Sequence, residues 1–214
     1  MIIRAAFIAG SLLFATIALG HQVWIERGPG QSAKVFHGEP AAGFIEKAGG
    51  GLDKIQPIVF HADKSKPLAQ TRHDDHIQVS GVSSGDLRLV VENFPIWKEA
   101  DGSSQRAVYY AREGRSETKQ VLALELVPTA AGSDAFILMR DGKPVAGHDI
   151  ALLAPGGWSK SLKTDSNGRV NLETPWPGRY IAEALLEDES KTRHNGQEIS
   201  KTYHVSTIAF TEEG

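Results

Sequence analysis

The chain has 214 residues, 23 Lys plus Arg against 26 Asp plus Glu, and no cysteine. Without thiols, disulfides, thiolate metal ligands and cysteine nucleophiles are excluded. The formal charge is −3 and the basic residues are scattered, which excludes the basic stripe that a nucleic-acid partner requires.

Residues 1–20 carry Arg4, an apolar run from Ala5 to Leu19, and the small residues Ala18 and Gly20 at their end. This is the pattern of a secretory signal peptide cut after Gly20. The run is too short for a membrane span, which takes about 20 apolar residues. The expected product is a soluble periplasmic protein with no membrane span after cleavage, beginning at His21. A first-position histidine offers a metal two nitrogens, its imidazole and its free α-amine, whose proton a metal displaces near neutral pH.

Short apolar stretches separated by Gly, Pro, Asp and Ser follow. Strands are expected at Val23-Trp24-Ile25, Ile55 to Phe60, Ile77-Gln78-Val79, Asp86 to Val91 and Val121 to Val127. Pro128 to Ser133 has linker composition, giving parts at residues 21–130 and 131–214. In the second part Phe136 to Arg140 leads through Asp141-Gly142-Lys143-Pro144 into a returning strand, Val145 to Leu153. Thr164 to Arg169 reads as a tight hairpin turn in which Asn167-Gly168 supplies positive-φ positions. Val170 to Glu173, Ile181 to Leu186 and Tyr203 to Phe210 complete the strands, and no helix is expected. The predicted fold is all-β, two immunoglobulin-like or prealbumin-like antiparallel β-sandwich parts in tandem.

Two stretches carry a family resemblance. The first is His21-Gln22-Val23-Trp24-Ile25-Glu26 at the exported N-terminus. The second comprises Leu126-Val127-Pro128, Asp141 to Gly147, Thr164 to Arg169, Pro177 to Tyr180 and Tyr203 to Phe210. Together they resemble a periplasmic domain-of-unknown-function family filed with nickel-uptake components of the NikM type. The C-terminal half resembles the prealbumin-like or carboxypeptidase-regulatory β-sandwich. The resemblance implies a periplasmic protein of divalent-metal acquisition, without assigned catalysis.

Eight histidines supply the candidate ligands. With thiolates excluded, a nitrogen-rich site suits nickel or copper. The predicted metal set is His21 with His204, on the strand from Tyr203 to Phe210, and His194, in the polar loop from Glu187 to Gly196. His204 reads equally as a half-buried packing residue and His194 as a solvated one. His73 and His76, in Arg72-His73-Asp74-Asp75-His76, form the densest cluster but would point to opposite faces of a strand, so a solvated turn is the alternative. His37, before Gly38-Glu39-Pro40, reads as a strand end or an extra ligand, and His61 and His148 as edge or turn residues. Glu26 is a candidate to orient a ligand imidazole. The run Gly49-Gly50-Gly51 reads as flexible linker.

There is no Gly-x-Ser-x-Gly elbow, His-Glu-x-x-His or phosphate-cradling glycine loop, so no catalytic residues are nominated and no enzyme is expected. The expectation is a periplasmic protein that binds a divalent transition metal (nickel, with copper or cobalt as alternatives). Its expected partner is a membrane metal-uptake system or an outer-membrane receptor. The alternative is a metal-free envelope module docking on a receptor or polysaccharide through Trp158 or Trp176.

Overall fold

The computed structural model describes residues 20–214; the expected signal segment lies outside them except for Gly20. The strands in chain order are β1 Gln22–Arg27, β2 Ser32–Glu39, β3 Phe44–Ile45, β4 Ile58–Phe60, β5 Ala69–Arg72, β6 Ile77–Ser80 and β7 Leu87–Val91. Then come β8 Trp97–Lys98, β9 Ser104–Glu113, β10 Leu124–Pro128, β11 Ala135–Arg140, β12 Lys143–Pro144 and β13 Asp149–Leu153. The last are β14 Ser159–Lys163, β15 Arg169–Asn171, β16 Gly178–Asp188, β17 Thr192–His194, β18 Gln197–Ile199 and β19 Lys201–Glu212. The only helical elements among the described residues are short 3-10 turns at Pro40–Ala42, Gly51–Lys54 and Pro155–Gly157. No helix there is long and apolar enough to cross a membrane.

The protein is all-β, built as stacked sheets. An eight-stranded sheet runs β14-β13-β16-β19-β9-β7-β4, with β8 on β9. A first cover sheet runs β1-β2-β6-β5, with β3 on β2, and a second is built from β10, β11, β12 and β15. Strands from both sides of residue 130 enter the central sheet, and β10 pairs with β11 across that position. All pairs are antiparallel except β9 with β19, which run parallel from Lys201 opposite Gln105 to Ala209 opposite Glu113.

Successive residues of a strand point to opposite faces, so this sheet feeds two cores. Val23, Ile25, Val35, Ile77 and Val79 of the first cover sheet pack on Leu89, Tyr109 and Val205. Leu124, Leu126, Phe136 and Leu138 of the second pack on Val108, Tyr110, Ile208 and Phe210. With both faces covered, β7 is buried along its whole length.

Two turns behave differently from each other. Asp141-Gly142, with φ of 47° and 80°, is a two-residue hairpin closing Arg140 onto Lys143. The expected hairpin at Thr164 to Arg169 is instead a crossover, because β14 pairs with β13 in the central sheet and β15 with β11 in the cover sheet. There Gly168 alone has positive φ, and a Cβ on it would meet Pro144 and Val145 within 3.0 Å. The strand expected from Val121 begins at Leu124, because the amides of Val121 and Leu122 donate to the Glu125 carboxylate.

Glu125 also joins the sheets. It accepts from Arg88 Nε at 2.9 Å and Arg112 Nη1 at 3.1 Å, and Arg112 also pairs with Asp86. Arg88 and Arg112 are fully buried and Glu125 nearly so. Removing one partner of such a cluster leaves uncompensated buried charge. Glu125→Ala is therefore expected to cost roughly 3–5 kcal/mol in denaturant unfolding, whereas Asp74→Ala, at an exposed pair with Lys47, changes stability by about 0.5 kcal/mol or less.

Candidate metal centre

β1 and β2 form the candidate site. Their register sets Val23 opposite His37 and Gln22 opposite Gly38. His21, one position before the paired segment, is thus a diagonal neighbour of His37 on the same face. The two rings lie 5.3 Å apart. Gly38 allows β3 to approach: a Cβ there would lie 2.3 Å from the Phe44 carbonyl oxygen. The amide of Glu46, next after β3, donates to the His37 carbonyl at 2.8 Å.

A closed network follows. The Glu46 carboxylate lies 2.7 Å from His21 Nε2 through Oε1 and accepts from the Gly51 amide at 3.0 Å through Oε2. The Gly51 carbonyl in turn lies 3.0 Å from His37 Nδ1, which donates to it. Gly51 is packed so closely on Glu46 that a Cβ would lie 2.1 Å from its Cδ. The run Gly49-Gly50-Gly51, expected as a linker, therefore enters the 3-10 turn Gly51–Lys54 and anchors both histidines.

His37 is 1% exposed, and its Nε2 has no partner among the described residues. Burial lowers its pKa to about 4, so the ring is neutral, with an Nε2 lone pair free to bind. The His21 ring is half exposed; its Nε2 is engaged by Glu46, and its Nδ1 lies 3.4 Å from Glu39 Oε1. Phe94 and Tyr109 wall His37, with ring centroids 5.9 Å away.

Beside this pair is a cavity of about 310 Å³ lined by Gly20, His21, Trp97, Tyr109, Glu183 and Tyr203, among others. Glu183 is 3% exposed, and burial pushes its carboxyl up to about 8, so it is mostly protonated at neutral pH.

The other predicted ligands lie elsewhere. His204 alternates with Tyr203 and Val205 and faces the second cover sheet, across the central sheet from His21. Its Nδ1 is 3.3 Å from the Tyr110 hydroxyl, and its Nε2 accepts from Arg140 Nη2 at 3.1 Å. Burial, then Arg140, lowers its pKa to about 4. His194, on the β17–β18 hairpin, accepts from Arg106 Nη1 at 2.8 Å, and its pKa is lowered by burial and then Arg106. His204 and His194 thus sit among guanidinium groups, a setting that repels a metal cation, and the fold brings neither of them to His21.

His73 and His76 stack at 4.7 Å with 8° between planes, and His76 pairs with Asp75. Their faces, not their lone pairs, meet. His61 is held by Asp86 and Ser83. Glu26 pairs with Trp24 and Arg179, not with a histidine. Among the described residues no three His, Asp or Glu side chains are grouped to hold a metal.

No family model matches the chain, and no curated protein matches it. Among solved structures, it is similar to SGBP-B of the mixed-linkage glucan utilization locus of Bacteroides ovatus, determined with a mixed-linkage heptasaccharide. Identity is 13%, the TM-score is 0.19, and the match covers 84% of this chain and 42% of that one. The chain therefore spans less than half the length of that protein, and overlap this slight carries no functional argument.

The buried ionisable groups set a pH signature. His37 and His204 have folded pKa values below their ordinary 6.5. The unfolded chain therefore binds more protons from about pH 4 to 6.5, and these groups make stability rise with pH there. Glu183 has its folded value above 4.5. The folded chain then holds the extra proton up to about pH 8, and stability falls as pH rises towards that value. With Gly20 in place, the melting temperature is expected to decline between pH 6.5 and 8, and Glu183→Gln to flatten that decline. An unchanged slope in the variant contradicts the assignment.

Proposed function

We propose that this is a periplasmic divalent transition-metal-binding protein whose donors are His21 and His37. The observation that carries the reading is the His37 imidazole. It is buried and neutral, with Nδ1 tied to the Gly51 carbonyl and Nε2 unpartnered beside His21. Metal-binding histidines are held in this way, one ring nitrogen fixed by a carbonyl or carboxylate and the other left to coordinate. Glu46 holds Nε2 of His21 in the same manner, leaving Nδ1 and, once the chain begins at residue 21, the α-amine. Three nitrogens with carboxylates nearby suit nickel or copper.

The chain's own work is to present these nitrogens deprotonated. His37 is already neutral at physiological pH and binds without losing a proton; because coordination needs deprotonated nitrogens, binding weakens in acid. Export to the periplasm and hand-off to a membrane uptake system are proposed from the N-terminal segment and the family resemblance.

Spectroscopic titration of protein beginning at His21 with nickel and copper tests the reading. One residue added before His21, or His37→Gln, is expected to abolish tight binding while leaving the fold intact. Glu46→Gln is expected to weaken binding about 10–100-fold. His204→Gln is expected to leave affinity unchanged. Equal affinity in wild type and His37→Gln contradicts the proposal.

A second reading, docking on an envelope polysaccharide, is favoured by Trp158 and Trp176. They are two of the three exposed large apolar side chains among the described residues, with ring centroids 5.4 Å apart. The Tyr180 hydroxyl holds the Trp176 backbone at both its amide and its carbonyl. Retardation in polysaccharide-containing gels that is lost in Trp158→Ala and Trp176→Ala supports this reading; unretarded migration of wild type removes it.

A further inference from the structure

Three buried side chains near residue 21 each have one atom with no hydrogen-bond partner among the described residues: Glu183 Oε2, Gln22 Oε1 and His37 Nε2. Gln22 and Glu183 together border a small cavity, and Glu183 also lines the larger one beside His21. Buried polar atoms are nearly always partnered, and leaving them bare costs stability. Among the described residues the walls of the larger cavity contain no lysine or arginine. The acid at its rim, Glu187, is already held by Lys201 at 2.7 Å. Lys201 lies 5.6 Å from the Tyr203 ring centroid. Trp97 and Tyr203, stacked at 5.8 Å, supply an aromatic wall beside the acid.

What such a cavity lacks is a compact cationic donor. An ammonium group has three N–H donors and no acceptor, and aromatic walls favour a cation. Gly20 and His21 both line this cavity. Gly20 is exposed, with open space where a Cβ would stand. Hydrolysis of the Gly20–His21 bond would add the water oxygen to the Gly20 carbonyl carbon, giving a carboxylate, and both water protons would end on the His21 nitrogen, giving an α-ammonium at the cavity wall.

We infer that the cavity beside Glu183 is a receptor for a primary ammonium group, and that its occupant is the α-ammonium of His21 made by cleavage after Gly20. Glu183 becomes its counter-ion and positioning residue. The inference shares with the metal reading only the start at His21. A metal and Glu183 would compete for this nitrogen, because coordination requires the ammonium to lose its proton.

The test uses four metal-free proteins in chelator near pH 7: chains beginning at Ala18 or at His21, each with Glu183 or Glu183→Gln. The His21 chain is expected to melt higher than the Ala18 chain by roughly 2–4 °C or more, the shift that about one favourable interaction gives in a domain of this size. That difference is expected to vanish in the Glu183→Gln pair, which a merely structural glutamate would not produce. n-Butylammonium chloride, compared with equal sodium chloride, is added to the Ala18 chain to probe a free amine. If butylammonium alone gives a Glu183-dependent rise, the ammonium receptor stands and the chain's own terminus is not its occupant. If neither source gives such a rise, the inference is overturned. A Glu183-dependent gain in a protein that binds no metal overturns the metal reading and leaves this one intact.

Discussion

The parallel pairing of β9 with β19 is the constraint on which the rest of the structure depends. It joins strands about ninety residues apart in sequence and makes one central sheet from both parts of the chain. A sheet covered on both sides has two separate interiors, and strand alternation decides which residue enters which. Tyr109, Tyr203 and Val205 turn to the first cover sheet, while Tyr110, His204 and Ile208 turn to the second. The His21 cavity exists because β1 lies over the first of these faces. The same alternation withholds His204 from it.

The two interiors also differ in chemistry. Beneath the second cover sheet, charge is paired: Arg88 and Arg112 meet Glu125, which takes backbone amides as well. The desolvation of such charges offsets their attraction, so the cluster adds little net stability although losing one member is costly. Among the described residues unpartnered buried atoms occur on both sides: Glu183, Gln22 and His37 near His21, and one nitrogen each of Arg88 and Arg140 on the other. Unsatisfied buried groups are where a protein spends stability on function. What distinguishes the N-terminal set is its chemistry: its open atoms can accept, whereas those of Arg88 and Arg140 can only donate.

Much of the fold was legible. Apolar runs between turn residues located β1, β6, β7, β11, β16 and β19, and Asp141-Gly142 marked its hairpin. β9 is not legible as a strand because its burial is not apolar: it carries Gln105, Arg106 and Arg112 along a strand buried on both sides. Thr164 to Arg169 misled because turn chemistry records a reversal of the chain and not which sheet each flank joins. At the site, His21 was legible from the cleavage pattern, and the placement of His204 on a strand was correct, but its face depends on pairing with β9. His37 reads in the sequence as a strand end or an extra ligand; only the register with β1 brings it to His21. Glycine spacing marks the site as well: Gly38 and Gly51 are positions where Phe44 and Glu46 press against the backbone. Glu183 left a fainter trace, an acid between Ile181 and Leu185 on one strand face.

The central claim is that His21 and His37, and not His21 and His204, form one metal site. Pulsed electron paramagnetic resonance of the copper-loaded protein beginning at His21 tests it most directly, because it counts coordinated imidazoles. Two imidazoles are predicted, falling to one in His37→Gln and remaining two in His204→Gln. A spectrum unchanged by His37→Gln, or one that loses an imidazole in His204→Gln, contradicts the account.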